Sequence, residues 1–288
     1  MNSMQTALPA TAPVRAMQWR SLEFILGAVL TGAMLTLVLL SVWIFPDRGS
    51  LMDLAARLTQ PFTAWAHPLG TDPLGRDVLA RVLVGGRISL MVGFVSVLGA
   101  SVLGITVGLI AGYYRGFWDM LLMRCVDVQL ALPFILVALT FISILGGGLG
   151  NIILFMIVSQ WVQYARLVRG MVLSVREREF VQAARAFGVR DFAMIRHHIL
   201  PNIIGPVIIL MTLNVANNIL LESSLTFLGL GVDPLIPSWG GMLADGRTYM
   251  QTAWWVSVFP GVAIMLTVLG LNLLGDWLRD RIDPTGKL

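Results

Sequence analysis

The chain has 288 residues, of which 57% are hydrophobic and only 12% are charged, and its mean hydropathy is +0.80. No soluble domain has an interior large enough to hide that much apolar surface, so this composition excludes a water-soluble protein. The sequence pI of about 9.8 fits a nucleic-acid-binding protein, but the surplus arginines fall in short loops between apolar stretches, as in membrane proteins. We therefore expect an integral membrane protein in contact with the lipid bilayer and with no nucleic-acid partner.

Six apolar stretches approach the roughly 20 residues that a helix needs to cross a bilayer. In chain order they cover 24–45, 88–114, 126–145, 149–165, 203–221 and 253–275. Each must be helical, because lipid offers no partner for an exposed backbone N–H or C=O group. The third stretch is the least regular, since it contains Asp127 and Pro133 and is followed by three glycines. The predicted fold is an all-α integral membrane protein with six transmembrane helices.

The positions of the arginines predict how these helices are oriented. The segment 166–201 carries seven arginines against three acidic residues, and short loops with this bias stay in the cytoplasm. Both termini are therefore expected in the cytoplasm, and the loop 222–252 outside. The resulting division is a cytoplasmic tail 1–23, a first transmembrane helix 24–45, an extracytoplasmic segment 46–87, a five-helix core 88–276 and a cytoplasmic tail 277–288.

The extracytoplasmic segment 46–87 is expected to be structured. Ser50 and Asp53 have the spacing of a capping box and predict an amphipathic helix over 50–58. The pattern from Asp77 to Val84 predicts another helix. These elements are suited either to shielding the ends of the spans or to forming a rim where a partner docks.

The residues of an active site or a metal site are missing from the sequence. Cys125 is the single cysteine, and the three histidines fall on both predicted sides of the membrane, His67 outside and His197 and His198 inside. No glycine-rich phosphate-binding loop is present, and Gly286-Lys287 has no helix to follow it. We expect a non-catalytic chain with no metal and no cofactor, so that any ATP and Mg²⁺ are bound by another subunit.

A polar segment between the fourth and fifth stretches has the clearest local pattern. Phe180, Ala183, Ala184 and Phe187 are spaced i, i+3, i+4 and i+7, which places them on one face of a short helix. Gly188 is suited to end that helix in a left-handed conformation. The small alanine side chains permit close approach to another surface. The pattern alone fits equally a helix docked in a partner's groove and a helix resting on the membrane.

A second helix is expected directly after this one. Asp191 is placed to cap it, His198 lies within it, and Pro201 is expected to stop it before the fifth stretch begins.

The same segment resembles the coupling motif of permease subunits in binding-protein-dependent ATP-binding-cassette (ABC) importers. That motif reads Glu-Ala-Ala, three residues, Gly, nine residues, an aliphatic position, one residue and Leu-Pro. The matching residues here are Gln182, Ala183, Ala184, Gly188, His198, Leu200 and Pro201. Gln182 replaces the usual acid, so the contact available there is a hydrogen bond rather than a salt bridge, and His198 replaces the usual aliphatic residue. The resemblance implies that this motif, with Phe180, Arg185 and Phe187 of the same helix, contacts an ATPase.

Three further blocks make the resemblance narrower. Residues 67–90, 222–243 and 272–280 are similar to the dipeptide, oligopeptide and nickel permeases, and among them to the C-type (DppC/OppC-like) subunit. The resemblance implies a type I importer architecture in the bacterial cytoplasmic (inner) membrane. It also implies a homologous B-type permease subunit, two cytoplasmic ATPases and an extracytoplasmic solute-binding protein as partners. The solute stays open among dipeptides, longer peptides, nickel chelates, haem and glutathione.

Four polar residues follow one another along the fifth stretch, namely Asn214, Asn217, Asn218 and Glu222. Polar side chains are costly against lipid, so they line a pathway for the solute or bond to neighbouring helices. The pathway is favoured for Asn217 and Asn218. The fourth-residue repeat Gly104, Gly108 and Gly112 is interpreted instead as close helix packing.

Two other classes of protein remain as alternatives. A secondary transporter or a channel subunit works without ATPases, and the transporter needs its own buried ionisable groups or broken helices, often in repeated halves. We find no internal repeat in the sequence. A membrane-bound enzyme needs a nucleophile or a metal site, and neither pattern is present.

Overall fold

The computed structural model describes residues 14–45, 51–233 and 235–282, with side chains from Leu22 onward. Ser50, the Gly286-Lys287 pair and the outer parts of both predicted tails lie outside the described residues. The helices are α1 Val14–Ile44, α2 Val78–Tyr114, α3 Gly116–Ala131, α4 Phe134–Leu145, α5 Leu149–Val175, α6 Glu179–Ala186, α7 Asp191–Met194, α8 Leu200–Phe227, α9 Trp239–Gly246 and α10 Trp255–Ile282. None of the described residues forms a β-strand, and the all-α prediction is confirmed.

Five helical segments are long and apolar enough to cross a membrane, and α3 with α4 makes a sixth if the pair counts as one broken span. The two helices of this pair meet at 95°. Pro133 has no N–H group to continue α3, and Leu132 before it is extended, with φ −88° and ψ 132°. The third predicted span, 126–145, is therefore broken at Pro133 into α3 and α4.

The helices also begin and end beyond the apolar stretches. The carboxylate of Asp77 accepts a hydrogen bond of 2.9 Å from the N–H of Ala80, so α2 begins at Val78. The short helix expected from Asp77 to Val84 is thus the first part of α2. Asp53 caps only a single 3₁₀ turn, Leu54–Ala56, and the longer amphipathic helix expected there is not formed.

The centre of the bundle is the contact between α2 and α5. A Cβ atom built on Gly104 would lie 2.5 Å from the carbonyl oxygen of Trp161, and one built on Gly108 would lie 2.7 Å from that of Ala165. Gly112 is equally close to α5. Only glycine allows the two backbones to approach this closely, which confirms that the glycine repeat serves helix packing. Helices α8 and α10 complete the core, and α1 packs against α10.

Buried charges hold the loop 51–77 against the start of α2. The carboxylate of Asp72 accepts hydrogen bonds from Nε of Arg76 at 2.6 Å and from Nη1 of Arg81 at 2.9 Å. All three side chains are almost fully buried. Asp245 of α9 lies farther from the same arginines, at 3.4 Å from Arg81 and 3.7 Å from Arg76. The loop is thus a structured part of the fold, joined to α2 and α9.

Candidate functional site

The segment that connects α5 to α8 contains the short helix predicted from the coupling pattern. Helix α6 begins at Glu179, where a negative charge suits the N-terminal end, and Arg185 lies in its last turn, where a positive charge is favourable. Gly188 follows with φ +78°, and its N–H donates to the carbonyl oxygen of Arg185 at 3.0 Å. The N–H of Val189 donates to the carbonyl oxygen of Ala184 at 3.2 Å, which completes a Schellman motif. The predicted role of Gly188 in ending the helix is confirmed.

The two faces of α6 differ sharply in burial. Val181 is fully buried in the main core, and Ala184 packs against the same core. Phe187 is 89% exposed and Phe180 is 41% exposed, with Ala183 exposed between them. The predicted four-residue face is therefore divided, since Ala184 faces inward. The sequence analysis did not identify Val181 as a buried residue. Its position three residues before Ala184 places the two side chains on the same face of the helix.

The polar residues of the coupling pattern lie around the exposed face. Gln182 and Arg185 are exposed, and Nε2 of Gln182 donates to the carbonyl oxygen of Glu177 at 3.0 Å. His198 and Leu200 are half-buried in the next helical segment, whereas Pro201 is exposed. The structure brings the residues 180–188 together on α6 and the turn that ends it, and places the last three motif residues in the next helical segment.

Asp191 does not cap a helix with its side chain, contrary to prediction. It is the first residue of α7, and its Oδ1 atom accepts a hydrogen bond of 2.6 Å from the hydroxyl of Tyr113 at the end of α2. The carboxylate is therefore used for a tertiary contact. Residues 78 positions apart in the sequence are joined in this way.

Pro201 does not stop the helix, so that prediction is also wrong. A π-helical turn, Ile195–Ile199, connects α7 directly to α8, and the N–H of Leu200 bonds to the carbonyl oxygen of Ile195. The wider i to i−5 turn accommodates the missing N–H of Pro201 at the start of α8. The segment Asp191–Phe227 is one continuous helical span. Helix α7 is thus joined to α8 without a loop between them.

Three of the four polar residues of α8 are buried and bonded to neighbouring side chains. Nδ2 of Asn214 donates to the hydroxyl of Tyr164 at 2.9 Å. Asn218 bonds to Ser96 of α2 and to Gln160 of α5. Glu222 is fully buried, and its carboxylate oxygens accept bonds of 3.0 Å from the hydroxyls of Ser89 and Thr226.

Asn217 differs from these three residues because its side chain is exposed and makes no hydrogen bond within the described part of the chain. Leu220, Ser224 and Leu228 are exposed on the same side of α8. Beside them lies a groove of about 790 Å³ between α8 and α10, lined by Phe227, Met265 and Asn272 among others. This face of α8 has no partner in the described fold.

Polar residues of α3 bond to α5. Oδ1 of Asp127 accepts a hydrogen bond of 3.1 Å from Nη2 of Arg166. Nε2 of Gln129 donates to the carbonyl oxygen of Val158 at 2.6 Å. The described residues contain no group of three or more His, Cys, Asp or Glu side chains arranged to hold a metal ion.

Comparison with known proteins agrees with this architecture. Residues 104–286, more than half of the chain, match the family described as the binding-protein-dependent transport system inner membrane component. The chain belongs to this family. It is an ABC importer permease subunit, a multi-pass protein of the inner membrane.

Curated relatives give a more detailed comparison. The chain is 47% identical over 221 residues to the dipeptide transport system permease protein DppC of Alkalihalophilus pseudofirmus, covering 77% of this chain and 73% of that protein. It is 43% identical to the glutathione transport system permease protein GsiD of Pectobacterium atrosepticum, covering 77% and 74%. A putative peptide transport system permease protein of Brucella abortus is 39% identical over 95% of this chain and 91% of its own length.

A solved structure shares the fold. The inward-facing MetNI methionine ABC transporter matches with a TM-score of 0.57 and 19% identity, over 70% of this chain and 95% of that one. The similarity places the described helices in the architecture of an importer permease.

Proposed function

We propose that this chain forms one half of the solute pathway of a peptide importer and that the exposed face of α6 is the docking surface for an ATPase subunit. The docking surface is defined as Phe180, Gln182, Ala183, Arg185, Phe187 and Gly188. His198, Leu200 and Pro201 would support it from the following helix. The ATPase subunits would bind ATP and Mg²⁺, while this chain itself would be non-catalytic and hold neither cofactor nor metal.

The observation that carries the proposal is the opposite burial of Val181 on the eight-residue helix α6 and of Phe187, the residue that caps its C-terminal end. Burial of Val181 fixes the helix on the bundle, so Phe187 is held outward rather than left free to fold back. Phe192 of α7 is also 74% exposed. Exposed aromatic side chains on a fixed helix are typical anchors of a protein interface.

The charges around α6 support a cytoplasmic location for the docking surface. Exposed arginines flank it on both sides, at Arg178, Arg190 and Arg196. Short loops rich in arginine stay in the cytoplasm, where ATP is found. Both termini would then lie in the cytoplasm, and the loop 51–77 would face the extracytoplasmic solute-binding protein.

The pathway would lie on the exposed face of α8, against the homologous B-type permease subunit. The amide of Asn217 is exposed there, which would be costly against lipid but suits a path for a hydrated solute. Asn214, Asn218 and Glu222 are better explained by the alternative of bonding between helices. The relatives that transport dipeptides, peptides and glutathione support a small peptide as the solute.

The experiment is co-purification of the assembled importer. The Phe187→Asp substitution removes an aromatic anchor and places a charge at the proposed contact. It is expected to lower the amount of ATPase that co-purifies with the chain by about tenfold or more. Phe62→Asp is the matched control, because Phe62 is an exposed aromatic residue in the loop 51–77 and should leave recovery unchanged. Equal recovery with both variants would overturn the docking surface. Solute uptake by vesicles that lack ATPases would favour a secondary transporter or channel instead.

A further inference from the structure

Tyr113 is the residue where α2 meets the segment that carries the docking surface. It lies one residue before the end of α2 and is 5% exposed. Its hydroxyl donates a hydrogen bond of 2.6 Å to Oδ1 of Asp191 in α7. Its ring lies under the guanidinium group of Arg185 in α6, 5.8 Å from the centroid. One side chain thus contacts both helices of the segment.

The backbone of Tyr113 makes a third connection. Nη1 of Arg176, the residue directly after α5, donates a hydrogen bond of 2.6 Å to the carbonyl oxygen of Tyr113. The Arg176 guanidinium also lies 6.0 Å from the Tyr113 ring centroid. The ends of α2 and α5 are therefore joined where the chain leaves the bundle for α6.

These contacts are directional, unlike the apolar contacts of Val181. A hydrogen bond to a carboxylate is stronger than one between neutral groups and holds its two partners in a defined geometry. The cation over the Tyr113 ring adds a second restraint, on α6. Movement of α6 and α7 therefore pulls on α2 through Tyr113 rather than sliding past it.

Helix α2 is suited to carry such a movement over a long distance. It is a single helix of 37 residues, fixed to α5 by its glycine face and capped at its other end by Asp77. At about 1.5 Å per residue it is roughly 55 Å long. Its first turns carry Arg81, which is bonded to Asp72 in the loop 51–77.

We infer that Tyr113 is a positioning residue that transmits the movement of the ATPase-docked segment to α2, through its hydroxyl bond to Asp191. The inference rests on the proposed docking of the ATPase on α6. Continuity of α7 with α8 supplies one route into the bundle, and Tyr113 supplies a separate route into α2.

The test measures solute imported per ATP hydrolysed, in vesicles containing the complete importer and its loaded binding protein. Tyr113→Phe keeps the ring and removes only the hydroxyl. Loss of a hydrogen bond to a charged group shifts an equilibrium by about tenfold, so the ratio is expected to fall up to about tenfold while ATPase recovery stays unchanged. Tyr114→Phe is the control, because Tyr114 is 53% exposed and its hydroxyl has no hydrogen bond in the described structure.

Two changes at Asp191 sharpen the test. Asp191→Asn keeps an oxygen that accepts the Tyr113 hydrogen bond but removes the charge, so it should retain part of the coupling, whereas Asp191→Ala should match Tyr113→Phe. An unchanged ratio in Tyr113→Phe, or an equal fall in Tyr114→Phe, would overturn the inference. Loss of the ATPase from Tyr113→Phe would overturn it as well, since Tyr113 would then serve assembly. If the proposed docking surface is itself wrong, a different result would show it, since the Phe187→Asp variant would still co-purify with the ATPase.

Discussion

Nδ2 of Asn218 donates a hydrogen bond of 2.7 Å to Oγ of Ser96, joining α8 to α2 where both side chains are buried. Oδ1 of Asn218 also accepts a hydrogen bond from Nε2 of Gln160 in α5. One amide therefore connects the three helices at the centre of the bundle. Because all three groups are buried, losing one removes a buried hydrogen-bond partner from each group bonded to it.

Asn218→Ala is expected to destabilise the protein by about 1–3 kcal/mol, because Ser96 and Gln160 lose a buried partner. Asn217→Ala, one residue away on the exposed face, is expected to leave stability unchanged and to alter the KM of uptake. Thermal unfolding of the purified importer measures the first effect, and transport assays measure the second. Equal destabilisation by the two variants would contradict the separation of structural and pathway roles on α8.

Gly108→Ala tests the packing of α2 on α5. The added methyl group would meet the Ala165 carbonyl oxygen, so the backbones must separate, at a cost of about 1–3 kcal/mol. Gly170→Ala in α5 is the control, since nothing lies within 4 Å of the added atom and alanine favours a helix by about 1 kcal/mol. The two variants should therefore shift the unfolding temperature in opposite directions. A stabilising Gly108→Ala would show that the glycine face is not tightly packed.

Asp72→Asn and Asp245→Asn test the buried charges beneath the loop 51–77. Asp72 is bonded to two buried arginines, so its neutralisation is expected to cost about 3–5 kcal/mol.

Burial raises the pKa of Asp245, an effect that Arg76 opposes and Asp72 reinforces. A carboxyl group whose pKa is higher in the folded than in the unfolded protein stabilises the fold when it is protonated. This stabilisation is complete below the unfolded-state pKa of about 3.9 and is lost as the pH rises through the folded-state pKa.

The charged form of Asp245 therefore adds no net stability at neutral pH through this shift, and Asp245→Asn should leave the unfolding temperature at pH 7 nearly unchanged. As the pH is lowered, protonation of Asp245 should stabilise the original protein, and Asp245→Asn should lack this pH-dependent stabilisation. Unfolding temperatures from pH 4 to pH 8 measure both effects. A large loss with Asp245→Asn at pH 7 would show that this carboxylate is a main partner of Arg76 and Arg81.

Local sequence patterns predicted most of the helices correctly, but they did not predict which helices and side chains contact one another. Apolar length identified the spans because lipid permits only helices there, and Gly188 was predictable because its left-handed backbone excludes most other residues. The break at Pro133 was visible in the sequence, but its 95° angle depends on how α4 packs. The inward face of α6 depends on where Val181 meets the core.

Long-range bonds account for features that local patterns could not predict. Asp191 has the pattern of a capping residue, yet Tyr113 of a distant helix uses its carboxylate. Asn218 has the pattern of a pathway residue, yet Ser96 and Gln160 lie within reach of it. The sequence of α8 alone contains no information on which neighbours face each turn.

Site-specific cross-linking at position 187 tests the central claim most directly. Cys125 is the only cysteine of the sequence, so Cys125→Ser provides a background in which Phe187→Cys adds a single reactive thiol. A short thiol cross-linker applied to the assembled importer should join position 187 to an ATPase subunit, while Phe62→Cys in the same background should not. Labelling of position 187 by a lipid-dissolved probe, with no cross-link to the ATPase, would contradict the account.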